Sequence, residues 1–189
     1  MKTYKIRDLK FEPYLSADKI QSINQRLADE ISDYYQLKEL IAIIVLKGGY
    51  IFGGDLLKLV EKDIPVYFIQ LSSYADTRST GHVSMNLTSL PDLTNKHVLI
   101  IEDIVESGLS MATLLKQPQL ATAGSIEICS LLFKPTELKT ELFLKFVGKE
   151  IPPAFVVGYG LDYNEMGRHL PDIYQLKTDN WVISAVKGI

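Results

Sequence analysis

The sequence predicts an α/β fold in which a parallel sheet is flanked by helices on both faces. Three observations lead there. Short apolar runs rich in β-branched residues recur at 40–46, 66–71, 98–101 and 125–133, and such runs read as strands buried on both sides. Segments of helical periodicity lie between several of them. Polar, glycine-containing stretches follow the carboxyl ends of these runs, where open α/β sheets bind their ligands.

The elements follow in order. Ile20, Ile23, Leu27 and Ile31 recur at helical spacing, which predicts an amphipathic helix over 17–35 with Ser16 as its N-cap. A buried strand follows at 40–46, then a Gly-Gly turn and a helix over 51–60. The next strand is 66–71, and the polar segment 72–80 reads as a loop. The run 98–101 is a core strand, 111–117 a helix stopped by Pro118, 125–133 a strand and 155–159 a short one.

The chain has 189 residues, 47% hydrophobic and 23% charged, which suits one globular domain with a sizeable core. Repeats and linkers are absent from the sequence, so no domain boundary is placed within 1–189. The formal net charge of −3 gives no electrostatic reason to expect nucleic acid as a partner. The single cysteine, Cys129, lies in an apolar run and reads as a core thiol, with no intrachain disulfide. The N-terminus Met1-Lys2-Thr3-Tyr4 lacks a signal-peptide apolar stretch. No segment reaches the length of a membrane span, so a cytoplasmic location is expected.

The most informative segment is Val98-Leu99-Ile100-Ile101-Glu102-Asp103-Ile104-Val105-Glu106-Ser107-Gly108-Leu109-Ser110. Two carboxylates stand where the strand is expected to emerge, and a Ser-Gly-Leu-Ser turn leads into a helix. Backbone N–H groups in such a turn attract phosphate. Acids beside a phosphate seat make sense if they face a ribose diol or a phosphate-bound Mg²⁺; a plain helix-capping turn is the other reading. Leu46-Lys47-Gly48-Gly49 closes another strand, either as a tight turn or as a loop that lets an anion approach the backbone. Ser73-Tyr74-Ala75-Asp76-Thr77-Arg78-Ser79-Thr80-Gly81 is a surface loop or a lid. Lys134-Pro135 ends a third strand, where the lysine suits a carbonyl oxygen of a base ring. Phe155-Val156-Val157-Gly158-Tyr159-Gly160-Leu161-Asp162-Tyr163-Asn164-Glu165 offers a ring for stacking and an acid for a metal or its water. Arg168, close behind, suits pyrophosphate. His82, His97 and His169 have no zinc-like spacing, and Trp181 reads as packing.

In this order and spacing the motifs resemble those of hypoxanthine-guanine phosphoribosyltransferases, with the type I phosphoribosyltransferase fold, over residues 40–176. The resemblance implies a Rossmann-like sheet with a small hood built from the terminal segments. It implies transfer of a phosphoribosyl group from phosphoribosyl pyrophosphate to hypoxanthine or guanine, giving IMP or GMP and pyrophosphate, with Mg²⁺. It places Glu102 and Asp103 at the ribose hydroxyls and Mg²⁺, and Ser107, Gly108, Leu109 and Ser110 around the 5′-phosphate. Lys47, Gly48 and Arg168 then meet pyrophosphate. Lys134 reads the purine 6-oxo group, Phe155 stacks on the base, and Val156 and Asp162 border it, Asp162 also as a Mg²⁺-associated acid. Ser73 and Tyr74 open the lid. Glu106 falls at the general-base position, commonly Asp in the family; Leu109 stands where a basic residue is often found, and Met166-Gly167 where an aromatic is usual. A homodimer or homotetramer is implied, with no membrane or nucleic-acid partner. Two alternatives stay open: a xanthine-preferring enzyme, and a nucleotide-sensing regulator of RNA or DNA. Lys134, Phe155 and the lid argue for the enzyme.

Overall fold

In the computed structural model, residues 2–73, 83–87 and 90–177 are described. A six-stranded sheet forms the centre, in the order β5-β4-β3-β6-β7-β8. Its members are β3 (Leu40–Leu46), β4 (Val66–Ser73), β5 (Val83–Asn86), β6 (His97–Val105), β7 (Ser125–Phe133) and β8 (Phe146–Glu150). Pairing is parallel from β4 through β3, β6 and β7 to β8, while β5 adds an antiparallel edge to β4. Strands of this kind are buried on both faces, hence the unbroken Leu-Ile-Ala-Ile-Ile-Val-Leu of β3.

Helices cover both faces. On one, α1 (Ala17–Tyr34) and α2 (Tyr50–Leu57) bury Ile20, Leu27, Ile31, Phe52 and Leu56 against Ala42, Ile44, Leu99 and Ile101. On the other, α3 (Leu109–Leu115) packs Met111 and Leu114 over Ile43, Val98 and Ile100. Ser16 is the N-cap of α1, its side chain accepting from Lys19 N at 3.4 Å. The Phe52 side chain is fully buried, and Phe52→Ala is expected to cost about 3–5 kcal/mol of stability, read as a lower midpoint in urea unfolding.

A second sheet joins the two ends of the described chain. Its order is β1-β2-β10-β9, from β1 (Tyr4–Ile6), β2 (Leu9–Leu15), β9 (Val156–Val157) and β10 (Ile173–Leu176). Ile6, Phe11, Val157, Tyr163, Leu170 and Tyr174 make its own apolar cluster. Asp172 Oδ1 accepts from Ala17 N at 2.8 Å, tying this sheet to the start of α1.

Several boundaries differ from expectation. The strand expected at 98–101 runs on to Val105, because Ile104 and Val105 keep pairing with Leu132 and Phe133. Glu102 and Asp103 therefore lie within β6, not beyond its end. The strand at 66–71 extends to Ser73, where β5 supplies a partner. The helix at 51–60 is Tyr50–Leu57, giving way to tighter turns at Leu59 and Lys62. The helix at 111–117 starts and ends two residues earlier. The strand at 155–159 shortens to two residues, since Gly158, Tyr159 and Gly160 all take positive φ. Strands β1, β2, β5, β8 and β10 go beyond the expected elements. Tyr74, His82 and Trp181 lie outside the described residues. No helix among the described residues is long and apolar enough to cross a membrane.

Candidate active site

The carboxyl ends of β3, β6 and β7 meet the turn after β9. Residues 46–49 leave β3, with a cis peptide between Leu46 and Lys47. Gly48 backs directly onto Asp103: a Cβ added to it would stand 1.8 Å from Asp103 Oδ2. No side chain larger than hydrogen leaves room for that carboxylate. On the other side the 46–49 loop meets Gly160, whose added Cβ would lie 2.1 Å from Gly48 O.

Asp103 is only 7% exposed. Burial, reinforced by the charge of Asp103, pushes the Glu102 carboxyl well above the usual range. Burial raises Asp103 as well, against the pull of its hydrogen bond with Glu102 and of nearby backbone N–H groups. Two hard oxygen donors crowded in this way are a fitting seat for a divalent cation, which would offset both penalties.

Glu102, Glu106, Ser107, Gly108 and Ser110 line one cleft of about 270 Å³. Gly108 has φ +72° as N-cap of α3, a left-handed conformation that glycine adopts without penalty. Ser107 Oγ accepts from Leu109 N at 3.4 Å, and Leu109 is half exposed at the start of the helix. Lys134, buried at the end of β7, ion-pairs with Glu106. Its own N–H donates to Val105 O at 2.9 Å, which fixes the two strand ends side by side.

Arg168 gathers the remaining motif. Nη1 donates to Gly160 O at 2.7 Å, and Nη2 lies 2.8 Å from Asp162 Oδ1 and 3.3 Å from Glu165 Oε2. Its Nε is buried without a hydrogen-bond partner among the described residues. Lys47 Nζ reaches Glu165 Oε1 at 2.9 Å. Glu106–Lys134, the Glu102/Asp103 pair, the 46–49 loop and the Arg168 cluster thus sit at neighbouring strand ends.

The phosphoribosyl transferase domain pattern matches residues 12–164. A hypoxanthine-guanine phosphoribosyltransferase of Staphylococcus aureus (strain Mu50) is 41% identical over 173 residues, covering 91% of this chain and 96% of that protein. The chain belongs to the hypoxanthine-guanine phosphoribosyltransferase family. Among solved structures, a Staphylococcus aureus hypoxanthine phosphoribosyltransferase superposes with a TM-score of 0.83 at 40% identity, covering 92% of this chain and 95% of that one. A Bacillus anthracis hypoxanthine-guanine phosphoribosyltransferase gives 0.81 at 33% identity, covering 88% and 97%.

Not every expected residue of this phosphoribosyltransferase faces the cleft in the same way. Phe155 belongs to the aromatic cluster of the terminal sheet, edge-on to Tyr163 (centroids 5.9 Å apart, 88°) and tilted to Phe11. Val156 is buried in β9. The Asp162 carboxylate is already engaged, by Arg168 and by Glu165 N at 2.7 Å. Ser73 ends β4, and Tyr74 is not among the described residues. The available sequence signal for Glu165 is its position three residues before Arg168. A partly buried relay, Asn24 Nδ2 to Tyr159 Oη to Asp55 Oδ2 at 2.8 Å each, links α1 and α2 to the turn after β9 and has no local trace in the sequence.

Proposed function

We propose that the protein is a purine-salvage enzyme that transfers the 5-phosphoribosyl group of phosphoribosyl pyrophosphate to hypoxanthine or guanine, yielding IMP or GMP and pyrophosphate. The observation that carries this reading is the junction of the Lys134–Glu106 pair with the Glu102/Asp103 acids on adjacent strand ends. A base reader there stands beside an acidic sugar seat.

In the reaction the purine N9–C1′ bond forms as the C1′–O bond to pyrophosphate breaks, and positive charge grows on the ribose. Glu102 and Asp103 face the ribose hydroxyls and favour that charge. Together they would hold Mg²⁺, with Asp162 assigned to it through water because its own oxygens already serve Arg168 and Glu165. When bound, the metal supplies charge neutralisation to the leaving pyrophosphate. Ser107, Gly108, Leu109 and Ser110 seat the 5′-phosphate through backbone N–H groups and hydroxyls. Lys47, Gly48 and Arg168 receive pyrophosphate. Lys134 donates to the purine 6-oxo group, Phe155 stacks on the ring, and Val156 meets its edge. Glu106 takes the N7 proton. Ser73 and Tyr74 begin a lid that keeps water from competing as nucleophile.

We take residues 1–189 as a single domain whose terminal sheet is the hood over the purine. We also infer a cytoplasmic enzyme, and assembly as a homodimer or homotetramer, checked by light scattering; the exposed Tyr50 of α2 and Val66 of β4 are apolar surface available to it. Pyrophosphate release is expected with guanine or hypoxanthine, more slowly with xanthine and least with adenine. A protein inert with all four would overturn the assignment. Lys134→Ala is expected to raise the purine KM roughly tenfold to a hundredfold, as loss of a charged hydrogen bond does. The KM for phosphoribosyl pyrophosphate should change by less than about twofold, since that ligand's phosphates are assigned to residues other than Lys134. An unchanged purine KM would remove the base-reading role.

A further inference from the structure

Glu165 occupies a backbone position that glutamate disfavours. Tyr163 and Met166 exchange backbone hydrogen bonds of 2.9 and 3.1 Å around Asn164 and Glu165. These two central residues have φ of 50° and 63°. This is the primed two-residue turn whose second central position is usually glycine. A residue kept in the left-handed region against its preference points to a demand from its surroundings.

The demand is visible at the carboxylate. Oε1 takes Lys47 Nζ at 2.9 Å and Oε2 takes Arg168 Nη2 at 3.3 Å. The Asp162 carboxylate, accepting from Glu165 N at 2.7 Å, holds the turn in place. The bond from Lys47, then that from Arg168, keeps the Glu165 carboxyl below its ordinary range, so it is an anion at neutral pH. Lys47 and Arg168 are the two cations assigned above to pyrophosphate. Counting Asp162, two cations are matched by two carboxylates and the cluster carries no net charge. Lys47 and Glu165 are 54% and 65% exposed, open to an incoming ligand.

We propose that Glu165 is a positioning residue that stands in for pyrophosphate, holding Lys47 and Arg168 at the polyphosphate seat and yielding them when phosphoribosyl pyrophosphate arrives. It thereby sets the affinity for both phosphoribosyl pyrophosphate and pyrophosphate. While Glu165 holds the cations the seat is neutral, and only its displacement exposes positive charge. The same carboxylate competes for the cations after transfer and favours departure of the product. This inference rests on the assignment of Lys47 and Arg168 to pyrophosphate.

The test is calorimetric titration of the full chain with pyrophosphate in Mg²⁺ buffer, alongside GMP, which lacks the pyrophosphate group. Glu165→Gln is expected to tighten pyrophosphate binding roughly three- to tenfold, the scale of one or two exposed ion pairs released. The KM for phosphoribosyl pyrophosphate should fall by a similar factor, and GMP affinity should hold steady. Glu165→Gly removes the left-handed strain as well as the charge; it should tighten pyrophosphate equally, without lowering the melting temperature. Unchanged or weaker pyrophosphate binding in both variants would overturn the proposal, as would equal tightening of GMP. A wild-type protein that binds GMP but no pyrophosphate would instead refute the roles of Lys47 and Arg168, and this inference with them.

Discussion

Gly48→Ala is expected to lower kcat/KM by about two orders of magnitude or more, the scale seen when reacting groups shift by an ångström. A Cβ at this position would stand 1.8 Å from Asp103 Oδ2, 2.4 Å from Cγ and 2.7 Å from Oδ1. Something must move, and little nearby is free to do so. Gly49 N donates to Val45 O at 3.1 Å and Gly53 N to Gly49 O at 2.8 Å, which tie the loop to β3 and α2. On its far side the loop rests on Gly160. Asp103 is itself buried within β6, between Glu102 and Ile104, which pair with Ser130 and Leu132 of β7. Displacing the carboxylate removes an acid from the proposed sugar and Mg²⁺ seat, and displacing the loop removes Lys47 from its proposed place at pyrophosphate. Either outcome damages the same step. Overpacking of this kind also costs about 1–3 kcal/mol of stability, so kcat/KM is to be measured well below the melting temperature of the variant. Wild-type turnover would show that the contact between Gly48 and Asp103 has no part in the reaction.

The central sheet was legible because burial on both faces forces long β-branched runs, as in residues 40–46 and 125–133. The terminal sheet was not. In β2, Leu9, Phe11, Pro13 and Leu15 alternate with polar residues or Tyr14, a strand pattern interrupted by a proline that breaks ladders in central positions. Here Pro13 faces Tyr174 at a register irregularity, where its missing N–H does little harm. β8 is short and half polar, and among the described residues it pairs along one edge, with β7. Its local pattern is correspondingly faint. The site divides similarly. Lys134, Glu106 and the Glu102/Asp103 pair announce themselves at strand ends, because charges amid apolar runs are conspicuous. Glu165 and the Asn24–Tyr159–Asp55 relay depend on contacts more than a hundred residues apart. Such pairing is set by tertiary packing, which local periodicity does not encode.

Glu106→Gln is expected to lower kcat by roughly a hundredfold to ten-thousandfold, the usual contribution of a positioned general base, with GMP binding changed by no more than a few-fold. Glutamine keeps the length and nearly the shape of glutamate but cannot accept the N7 proton. Glu106 follows the last residue of β6, and Lys134 follows the last residue of β7. Their backbones are joined by Lys134 N–H donating to Val105 O at 2.9 Å. The proposed base and purine reader are therefore held at a fixed separation by neighbouring strands, and their side chains form an ion pair. Glu106 is half exposed on the cleft side while Lys134 is buried, so the carboxylate can turn to a ligand without losing its partner's field. Glu106→Asp tests reach. It withdraws the carboxylate by one methylene, roughly 1.5 Å, yet keeps the basic group. The aspartate variant should therefore retain more kcat than the glutamine variant. Single-turnover measurements of nucleotide formation would separate the chemical step from product release. If Glu106→Gln forms nucleotide at the wild-type rate in a single turnover, another group takes the purine proton.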